Sequence, residues 1–172
     1  MKKTTIDPVT DRSSIAETAA LAKEIWNEYF VPLIGQAQVD YMLGKFQSIE
    51  TISAQIAAGT EYYLARTDDE PCGYLALIPN KPEGKLMLSK IYVKNATRGT
   101  GLGTALLEQT QKRASETGAQ AVWLTVNRGN SESIAWYRRK GFIATDEVKK
   151  DIGSGFYMDD YIMELKLPPP CA

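Results

Sequence analysis

Apolar residues recur at helical spacing through the first third of the chain. The positions that fall on one helical face are Ile15, Ala19, Ala22, Ile25, Trp26 and Tyr29. This pattern predicts a helix over about residues 13–30, and the capping-box spacing of Ser14–Glu17 places its start near Ser14. A second helical region follows, interrupted at Gly44 and ended by Gly59, because glycine readily adopts the left-handed conformation of a C-terminal cap.

Short alternating or continuous apolar runs indicate strands, most of them in the rest of the chain. The predicted strands are 4–8, 61–66, 72–79, 85–94, 121–126, 142–148 and 156–166. The later predicted helices are 101–118 and 131–140. Because strands and helices mix along the chain in this way, the pattern is typical of an α/β protein.

Two of the predicted strands form a parallel pair. One helix separates the strand that ends near Val93 from the apolar run at 121–126, so the three elements make a β-α-β unit with a right-handed connection. The complete order predicts one α/β domain with a mixed sheet over residues 1–167. Three prolines then direct a short tail, residues 168–172, away from the sheet.

Composition narrows the functional classes. The 172 residues are 44% hydrophobic and carry 20 basic against 21 acidic side chains, which disfavours a nucleic-acid partner, and no apolar run has the length of a membrane span. Cys72 and Cys171 form no disulfide framework and the first residues contain no apolar signal segment, so a cytoplasmic location is expected. The sequence contains no histidine, which excludes His-based triads, metal sites and general bases.

The run Ile91–Leu107 passes from a strand through a polar turn into a glycine loop and a helix. The first turn of a helix leaves backbone N–H groups unpaired and carries a partial positive charge, and glycines let that backbone approach an anion. The loop therefore predicts a phosphate site. It differs from the dinucleotide fingerprint at Thr104, and it lacks the Gly-Lys-Ser/Thr ending of the nucleotide P-loop. The alternative interpretation is a tight glycine loop that only precedes a core helix.

A second motif lies downstream. Residues 130–142 read Asn-x4-Ala-x-Tyr-x3-Gly-Phe, and Arg98–Gly103 reads Arg-x-x-Gly-x-Gly. In their order and separation these two motifs resemble those of the GCN5-related N-acetyltransferases (GNAT). The motifs carry the resemblance over residues 60–165, and the first 60 residues match by element order alone.

The resemblance implies a GNAT fold, a mixed and mostly antiparallel sheet with a splayed parallel strand pair and helices on both faces. It also implies acetyl-CoA as the co-substrate and no metal. The residues that it assigns to acetyl-CoA are Ile91, Val93, Arg98, Gly99, Thr100, Gly101, Leu102, Gly103, Thr104, Asn130 and Tyr137. Tyr137 is also the expected general acid for the departing thiolate, and the alternative is an aromatic that only packs in the core. The backbone N–H of Val93 is expected to stabilise the oxyanion.

The sequence assigns no general base. Many family members place a Glu on the central strand or on the next one, but Leu88–Lys90 and Leu124–Val126 contain no carboxylate. Deprotonation through ordered water, or an amine that arrives neutral, is equally open. The acids that remain as candidates are Glu28, Glu61, Asp159 and Asp160.

The acceptor is predicted from the first two helices and the last hairpin, which form the acceptor pocket in this family. Their candidate side chains are Trp26, Glu28, Tyr29, Tyr41, Tyr157, Asp159 and Asp160. Aromatic faces and carboxylates together favour a cation. The prediction is therefore an N-acetyltransferase for a small cationic amine, with a polyamine first. A peptide or protein N-terminus and an antibiotic amine are the alternative acceptors, and a non-catalytic acyl-CoA-binding domain is the rival class. The sequence leaves open whether the chain forms a homodimer.

Overall fold

The computed structural model describes residues 2–169. Its strands are β1 Thr4–Pro8, β2 Glu61–Thr67, β3 Glu70–Ile78, β4 Lys85–Val93, β5 Ala121–Asn127, β6 Ile143–Gly153 and β7 Phe156–Lys166. Its α-helices are α1 Arg12–Tyr29, α2 Val31–Ile34, α3 Gln36–Phe46, α4 Ile49–Ala57, α5 Leu102–Glu116 and α6 Ser131–Arg139. The predicted strands are confirmed, although β6 continues to Gly153. Cys171 and the end of the predicted tail lie outside the described residues.

The strands form one mixed sheet in the order β1-β2-β3-β4-β5-β7-β6. The pairs β1–β2, β2–β3, β5–β7 and β6–β7 are antiparallel, and β4–β5 is parallel. The predicted parallel pair and the mostly antiparallel sheet are therefore confirmed. The parallel register runs from Lys85 opposite Ala121 to Met87 opposite Trp123, whereas β4 itself continues to Val93.

Two boundaries of the N-terminal helices differ from the prediction. The cap of α1 is Asp11, whose carboxylate accepts the backbone N–H of Ser14 at 2.8 Å. Ser14 is thus the third helical residue and not the cap, because a carboxylate three positions earlier already satisfies its N–H. Gly44 lies inside α3 and does not interrupt it. The helix ends at Phe46, and α4 begins after Ser48, whose hydroxyl accepts the N–H of Thr51 at 3.1 Å.

The described chain forms two compact units. The first unit contains residues 2–78 together with Lys90–Thr110, and the second contains Pro79–Ser89 together with residues 111–169. The single domain over residues 1–167 stays a prediction. Among residues 2–169, no helix combines the length and the hydrophobicity that crossing a membrane requires.

In the first unit, α1 and α5 lie on opposite faces of β3. Tyr74 points to α1, where its hydroxyl accepts the indole N–H of Trp26 at 3.3 Å. The next residue along the strand is Gly73, and a Cβ there would lie 3.3 Å from Leu102 and 3.4 Å from Leu106 of α5. Because successive residues of a strand point to opposite faces, the two helices must cover different sides. The small size of Gly73 therefore lets the start of α5 lie close to the strand.

In the second unit, α6 packs through aromatic side chains. The ring of Tyr137 lies 5.5 Å from that of Phe142, which is buried at the start of the chain segment that leads into β6. Gly141 follows the helix at a φ of 100°, and a Cβ there would lie 3.1 Å from the side chain of Leu165 of β7. A residue with a side chain is strained at this φ, so glycine fixes the turn that brings Phe142 into the core.

Candidate functional site

The predicted phosphate loop joins β4 to α5. After β4, a turn of 3₁₀-helix covers Asn95–Thr97, and the chain then passes through Gly99 at a φ of 77° and Gly101 at a φ of 86°. The hydrogen bonds within α5 begin with the N–H of Ala105, which donates to the Gly101 carbonyl at 3.0 Å. The first N–H groups of an α-helix, here those of Leu102 and Gly103, have no carbonyl four residues earlier within the helix to bond. They can donate to an anion instead.

The two glycines suit a bound diphosphate. A Cβ added at Gly99 or at Gly101 would meet no protein atom within 4 Å. The glycines are thus required by their left-handed backbone conformation and not by crowding from the protein. The open space beside them is available to a ligand that approaches the backbone N–H groups. This arrangement fits the diphosphate of a nucleotide-based co-substrate such as acetyl-CoA.

The loop is held by hydrogen bonds of its own. The Thr97 N–H donates to the Lys94 carbonyl at 2.9 Å, and the Thr100 hydroxyl donates to the Thr97 carbonyl at 2.5 Å. The N–H of Lys94 donates to the Cys72 carbonyl at 2.8 Å and so ties the end of β4 to β3. The loop conformation is therefore formed before any ligand binds, which lowers the entropic cost of binding.

Two cations of the loop contact α1. The Arg98 guanidinium lies 4.4 Å from the ring centre of Tyr29, and the Lys94 ammonium lies 3.1 Å from the carboxylate of Glu24. The hydrogen bond to Glu24 raises the pKa of Lys94. The sequence predicted Arg98 beside the loop but not its contact with α1. The face of an aromatic ring attracts a guanidinium and fixes its orientation.

Ile91 and Val93 occupy the last part of β4 and are half-buried. They alternate with Lys90 and Tyr92, so they point to the other face of the strand. Tyr92 packs against Trp26 at 5.5 Å between ring centres, on the side of α1. The backbone of Ile91 and Val93 directly precedes the phosphate loop, which is the place that the resemblance assigns to the pantetheine arm.

Lys90 is a buried cation that the sequence reasoning missed. Its Nζ donates to the Phe46 carbonyl at 2.6 Å and to the Gln55 amide oxygen at 3.2 Å, and it also contacts the Tyr62 hydroxyl. Burial lowers the pKa of Lys90 to about 7. A lysine in a strand is ordinarily exposed. The signal that could have revealed its burial is the two-residue spacing from Leu88, because residues two apart on a strand point to the same face.

Asn130, the N-cap of α6, and Tyr137 of α6 belong to the second unit, whereas the loop residues belong to the first. Asn130 is buried and caps the helix, since its side-chain oxygen accepts the N–H of Ser133 at 3.2 Å. Tyr137 is 8% exposed, and its ring lies 5.3 Å from that of Trp136. Asn130 is thus the N-cap of α6. The roles of both residues toward acetyl-CoA stay predictions.

Asp159 and Asp160 are adjacent on β7 but lie in different surroundings. Asp159 accepts a hydrogen bond from Arg128 at 3.3 Å, and the same guanidinium bonds Glu147 at 3.2 Å. Asp160 is 4% exposed, and the Thr125 side chain is the group that lowers its pKa. Burial raises the pKa of Asp160 to about 6, and the negative charge of Asp159 adds to the rise. The charge of Asp159 is thus compensated by a cation of the chain, and that of Asp160 is not.

The aromatic side chains proposed for the acceptor pocket already contact cations of the chain. Trp26 is buried in the core beside Phe30. The three tyrosines are each covered on one side, by Arg98 on Tyr29 at 4.4 Å, Lys45 on Tyr41 at 5.7 Å and Lys149 on Tyr157 at 5.3 Å. Each of these three tyrosine rings thus contacts a cation of the chain on one face, and the acceptor pocket stays a prediction. Within residues 2–169, no three acidic or cysteine side chains are grouped so that they could hold a metal ion.

Comparisons with known proteins agree with the loop and the element order. A model of the Acetyltransferase (GNAT) family matches residues 20–142. An uncharacterized N-acetyltransferase of Mycobacterium tuberculosis is 32% identical over 103 residues, which cover 60% of this chain and 65% of that protein. The chain thus matches slightly less than two thirds of the length of this relative.

Two further proteins extend the comparison. The L-methionine sulfoximine/L-methionine sulfone acetyltransferase of Pseudomonas aeruginosa is 33% identical over 81 residues, 46% of this chain and 46% of that protein. The structure of the PaiA N-acetyltransferase of Thermoplasma acidophilum in complex with coenzyme A has a TM-score of 0.81 at 21% identity, and the match covers 96% of this chain and 99% of that one. This likeness establishes the fold.

Proposed function

Because the chain belongs to the GNAT acetyltransferase family, we propose that it is an acetyl-CoA-dependent enzyme that acetylates a primary amine by direct transfer. The observation that carries the proposal is the loop between β4 and α5. Gly99 and Gly101 hold a left-handed backbone that is open to a ligand, immediately before the N-terminus of a helix. A backbone of this kind binds phosphate groups of either a nucleotide or a coenzyme, and the family membership selects coenzyme A.

Acetyl-CoA supplies an acetyl group activated as a thioester. In the proposal its diphosphate is held by the backbone N–H groups of Gly99–Thr104, and Arg98 adds a positive charge beside them. The backbone of Ile91 and Val93 binds the pantetheine arm. Asn130, at the N-terminus of α6, contacts the same molecule. These assignments follow the residues of this chain that match the family motifs.

Two groups act on the acetyl transfer itself. The N–H of Val93 stabilises the negative charge that develops on the carbonyl oxygen, which is an interaction stronger in the transition state than in the ground state. Tyr137 donates its phenolic proton to the departing sulfur. The burial of Tyr137 supports this role, because few water molecules can reach a buried site and donate the proton in its place.

We propose a small cationic amine as the acceptor, with a polyamine first. The support comes from Asp160, a buried carboxylate whose charge no lysine or arginine among residues 2–169 neutralises. The ammonium group of an acceptor would neutralise that charge. An amino-acid analogue is the second candidate, because the Pseudomonas aeruginosa relative is an acetyltransferase for methionine sulfoximine and methionine sulfone.

A panel of acceptors under saturating acetyl-CoA tests the proposal. Thiol release is measured with spermidine, methionine sulfoximine, lysine and a short peptide, and acetyl-CoA binding is measured by calorimetry in parallel. We expect the highest kcat/KM with spermidine. Turnover of methionine sulfoximine alone would move the acceptor to an amino-acid analogue, and turnover of the peptide alone would refute a small-molecule acceptor. Acetyl-CoA binding without any turnover would indicate a non-catalytic binding domain.

A further inference from the structure

Asp160 is the buried acid of the described chain. Its exposure is 4%, whereas the other Asp and Glu side chains between residues 2 and 169 are half-buried or exposed. No ion pair among these residues includes Asp160. A buried carboxylate without a cationic partner is costly in free energy. Its presence therefore calls for a function.

The sheet register brings Asp160 to Thr125. Asp160 lies opposite Asn127 in the β5–β7 pair, and Thr125 lies two residues further along β5 on the same face. The Thr125 side chain lowers the pKa of Asp160, the effect of a hydrogen-bond donor on the ionised form of a carboxyl group. Thr125 is partly exposed, so an acceptor can contact this residue beside the buried Asp160.

The other strand neighbour of Asp160 contributes no titratable group directly opposite. Val148 of β6 is the partner in the register, and Asp146 and Lys150 lie two positions to either side of it. Arg128 is engaged with Asp159 and Glu147. The local charge at Asp160 is thus set by its own burial and by its neighbour on β7.

We propose that Thr125 and Asp160 form the proton-accepting pair of the acetyl transfer, in which Thr125 contacts the amine and Asp160 receives the proton. This inference rests on the proposed N-acetyltransferase activity, and it holds for whichever primary amine is the acceptor. The inference assigns a general base to a chain that has no carboxylate in Leu88–Lys90 or in Leu124–Val126. In this proposal Asp160 does not contact the amine: it positions the Thr125 hydroxyl and accepts the proton that this hydroxyl releases.

The proton and bond changes balance. One N–H proton of the ammonium passes to the Thr125 oxygen while the proton of that hydroxyl passes to Asp160. The neutral nitrogen then forms a bond to the thioester carbonyl carbon, and the carbon–sulfur bond breaks. Tyr137 donates its phenolic proton to the departing sulfur. The nitrogen then loses a second N–H proton, which passes to Tyr137 and restores its hydroxyl group. The products are the N-acetyl amide and the thiol of coenzyme A, and Asp160 returns its proton to solvent through Thr125.

The titration of Asp160 is consistent with this role. Burial raises the pKa of Asp160 to about 6, the charge of Asp159 raises it further, and the hydrogen bond from Thr125 opposes both effects. A carboxyl group with this pKa is mostly ionised above pH 7 and binds a proton more strongly than an ordinary aspartate does. Proton transfer is most efficient when the pKa of the base lies near the working pH.

Asp160→Asn is the first test, with Glu147→Gln as the matched control. Both changes remove one carboxylate charge and keep the side-chain shape, but Glu147 is exposed and bound to Arg128. With the best acceptor of the panel, we expect Asp160→Asn to lower kcat by about a hundred- to ten-thousand-fold, the usual contribution of a general base. Acetyl-CoA affinity should stay within a few-fold of wild type. The decline of kcat/KM toward low pH, centred near pH 6 in the wild type, should disappear. Glu147→Gln should keep both the rate and this decline.

Thr125→Val and Thr125→Ser keep the inference testable if Asp160→Asn does not fold. Valine keeps the shape but removes the relay, so kcat should fall at least tenfold, whereas serine keeps a hydroxyl and should retain most of the rate. A kcat that is unchanged in Thr125→Val or in folded Asp160→Asn would overturn the inference, as would an increase of KM alone. If the wild type acetylates no amine at all, the proposed function fails, and the inference fails with it. An active wild type with an equally active Asp160→Asn removes only the inference.

Discussion

The side chain of Tyr137 shows what can be learned at the scale of one residue. Its position on α6, its burial and its contact with Phe142 are established, whereas its role as a proton donor comes from the family motif. If Tyr137 only packs, its ring is sufficient, whereas proton donation also requires its hydroxyl group. The hydroxyl oxygen is therefore the part to remove.

Tyr137→Phe should lower kcat by about a hundred- to ten-thousand-fold, because it removes the proton donor and keeps the ring. Acetyl-CoA affinity measured by calorimetry should change by no more than a few-fold. Tyr161→Phe is the control, since it also removes one phenol oxygen from the second unit, where the hydroxyl only accepts a hydrogen bond from Arg128. An unchanged kcat in Tyr137→Phe, measured when the chemical step limits the rate, would assign the proton to another donor.

The sequence predicted single residues well where a short motif fixes them. Gly101, Asn130 and Tyr137 occupy the loop, the helix cap and the helix face that their motifs require. Asp160 and Lys90 could not be selected in this way, because their burial depends on which strands and helices lie against them. Thr125 becomes a partner of Asp160 only through the β5–β7 register, and no local pattern around either residue contains that information.

At the scale of the elements, the loop between β4 and α5 has the greatest consequence. The strand, the glycine loop and the helix N-terminus were all predicted from one stretch of sequence. Local prediction succeeded here because each part depends on neighbouring residues. It failed at the start of α1, where Ser14 has the spacing of a cap but Asp11 is available three residues earlier and accepts its N–H.

Gly101→Asp and Gly118→Asp together test the loop. Both glycines have a positive φ, 86° and 73°, and open space at the position of a Cβ, so the backbone strain of the two variants should be similar, about 1–2 kcal/mol. Only the carboxylate at position 101 faces the proposed diphosphate. We expect Gly101→Asp to weaken acetyl-CoA binding at least tenfold in calorimetry, while Gly118→Asp binds as the wild type does. Equal affinities in the two variants would place the diphosphate elsewhere.

At the scale of the whole molecule, the strand order explains where local reasoning stops. The parallel β4–β5 pair was predictable from one local rule. A helix between two strands carries the chain back across the sheet, so the two strands run in the same direction. The last two strands form a hairpin, and either of them could pair with β5 by local pattern. The structure places β7 there and leaves β6 at the edge. This choice is made by tertiary packing, since most of β6 is exposed whereas β7 contributes Met163 to the core.

The stability of the folded chain should reflect its buried lysine. Burial lowers the pKa of Lys90 from an ordinary 10.5 to about 7. Between these two values the unfolded chain binds a proton at Lys90 that the folded chain does not bind. The free energy of unfolding therefore rises with pH through this window, and the contribution is lost as the pH falls toward 7. Below about pH 7 both states carry the proton, and Lys90 adds no further pH dependence.

Urea unfolding of the wild type and of Lys90→Met at pH 7.5 and pH 9.5 measures this contribution. Each pH unit inside the window corresponds to at most about 1.4 kcal/mol, so the wild type should gain about 2 kcal/mol relative to Lys90→Met between the two conditions. The upper limit stays at pH 9.5 because tyrosines of the unfolded chain ionise near pH 10, and burial raises the pKa of Tyr62, which contacts Lys90. Lys112→Met, at an exposed position of α5, controls for the loss of one charge. A stability difference between the wild type and Lys90→Met that stays constant with pH would show that Lys90 keeps its proton in the folded protein, held by the Phe46 and Gln55 oxygens.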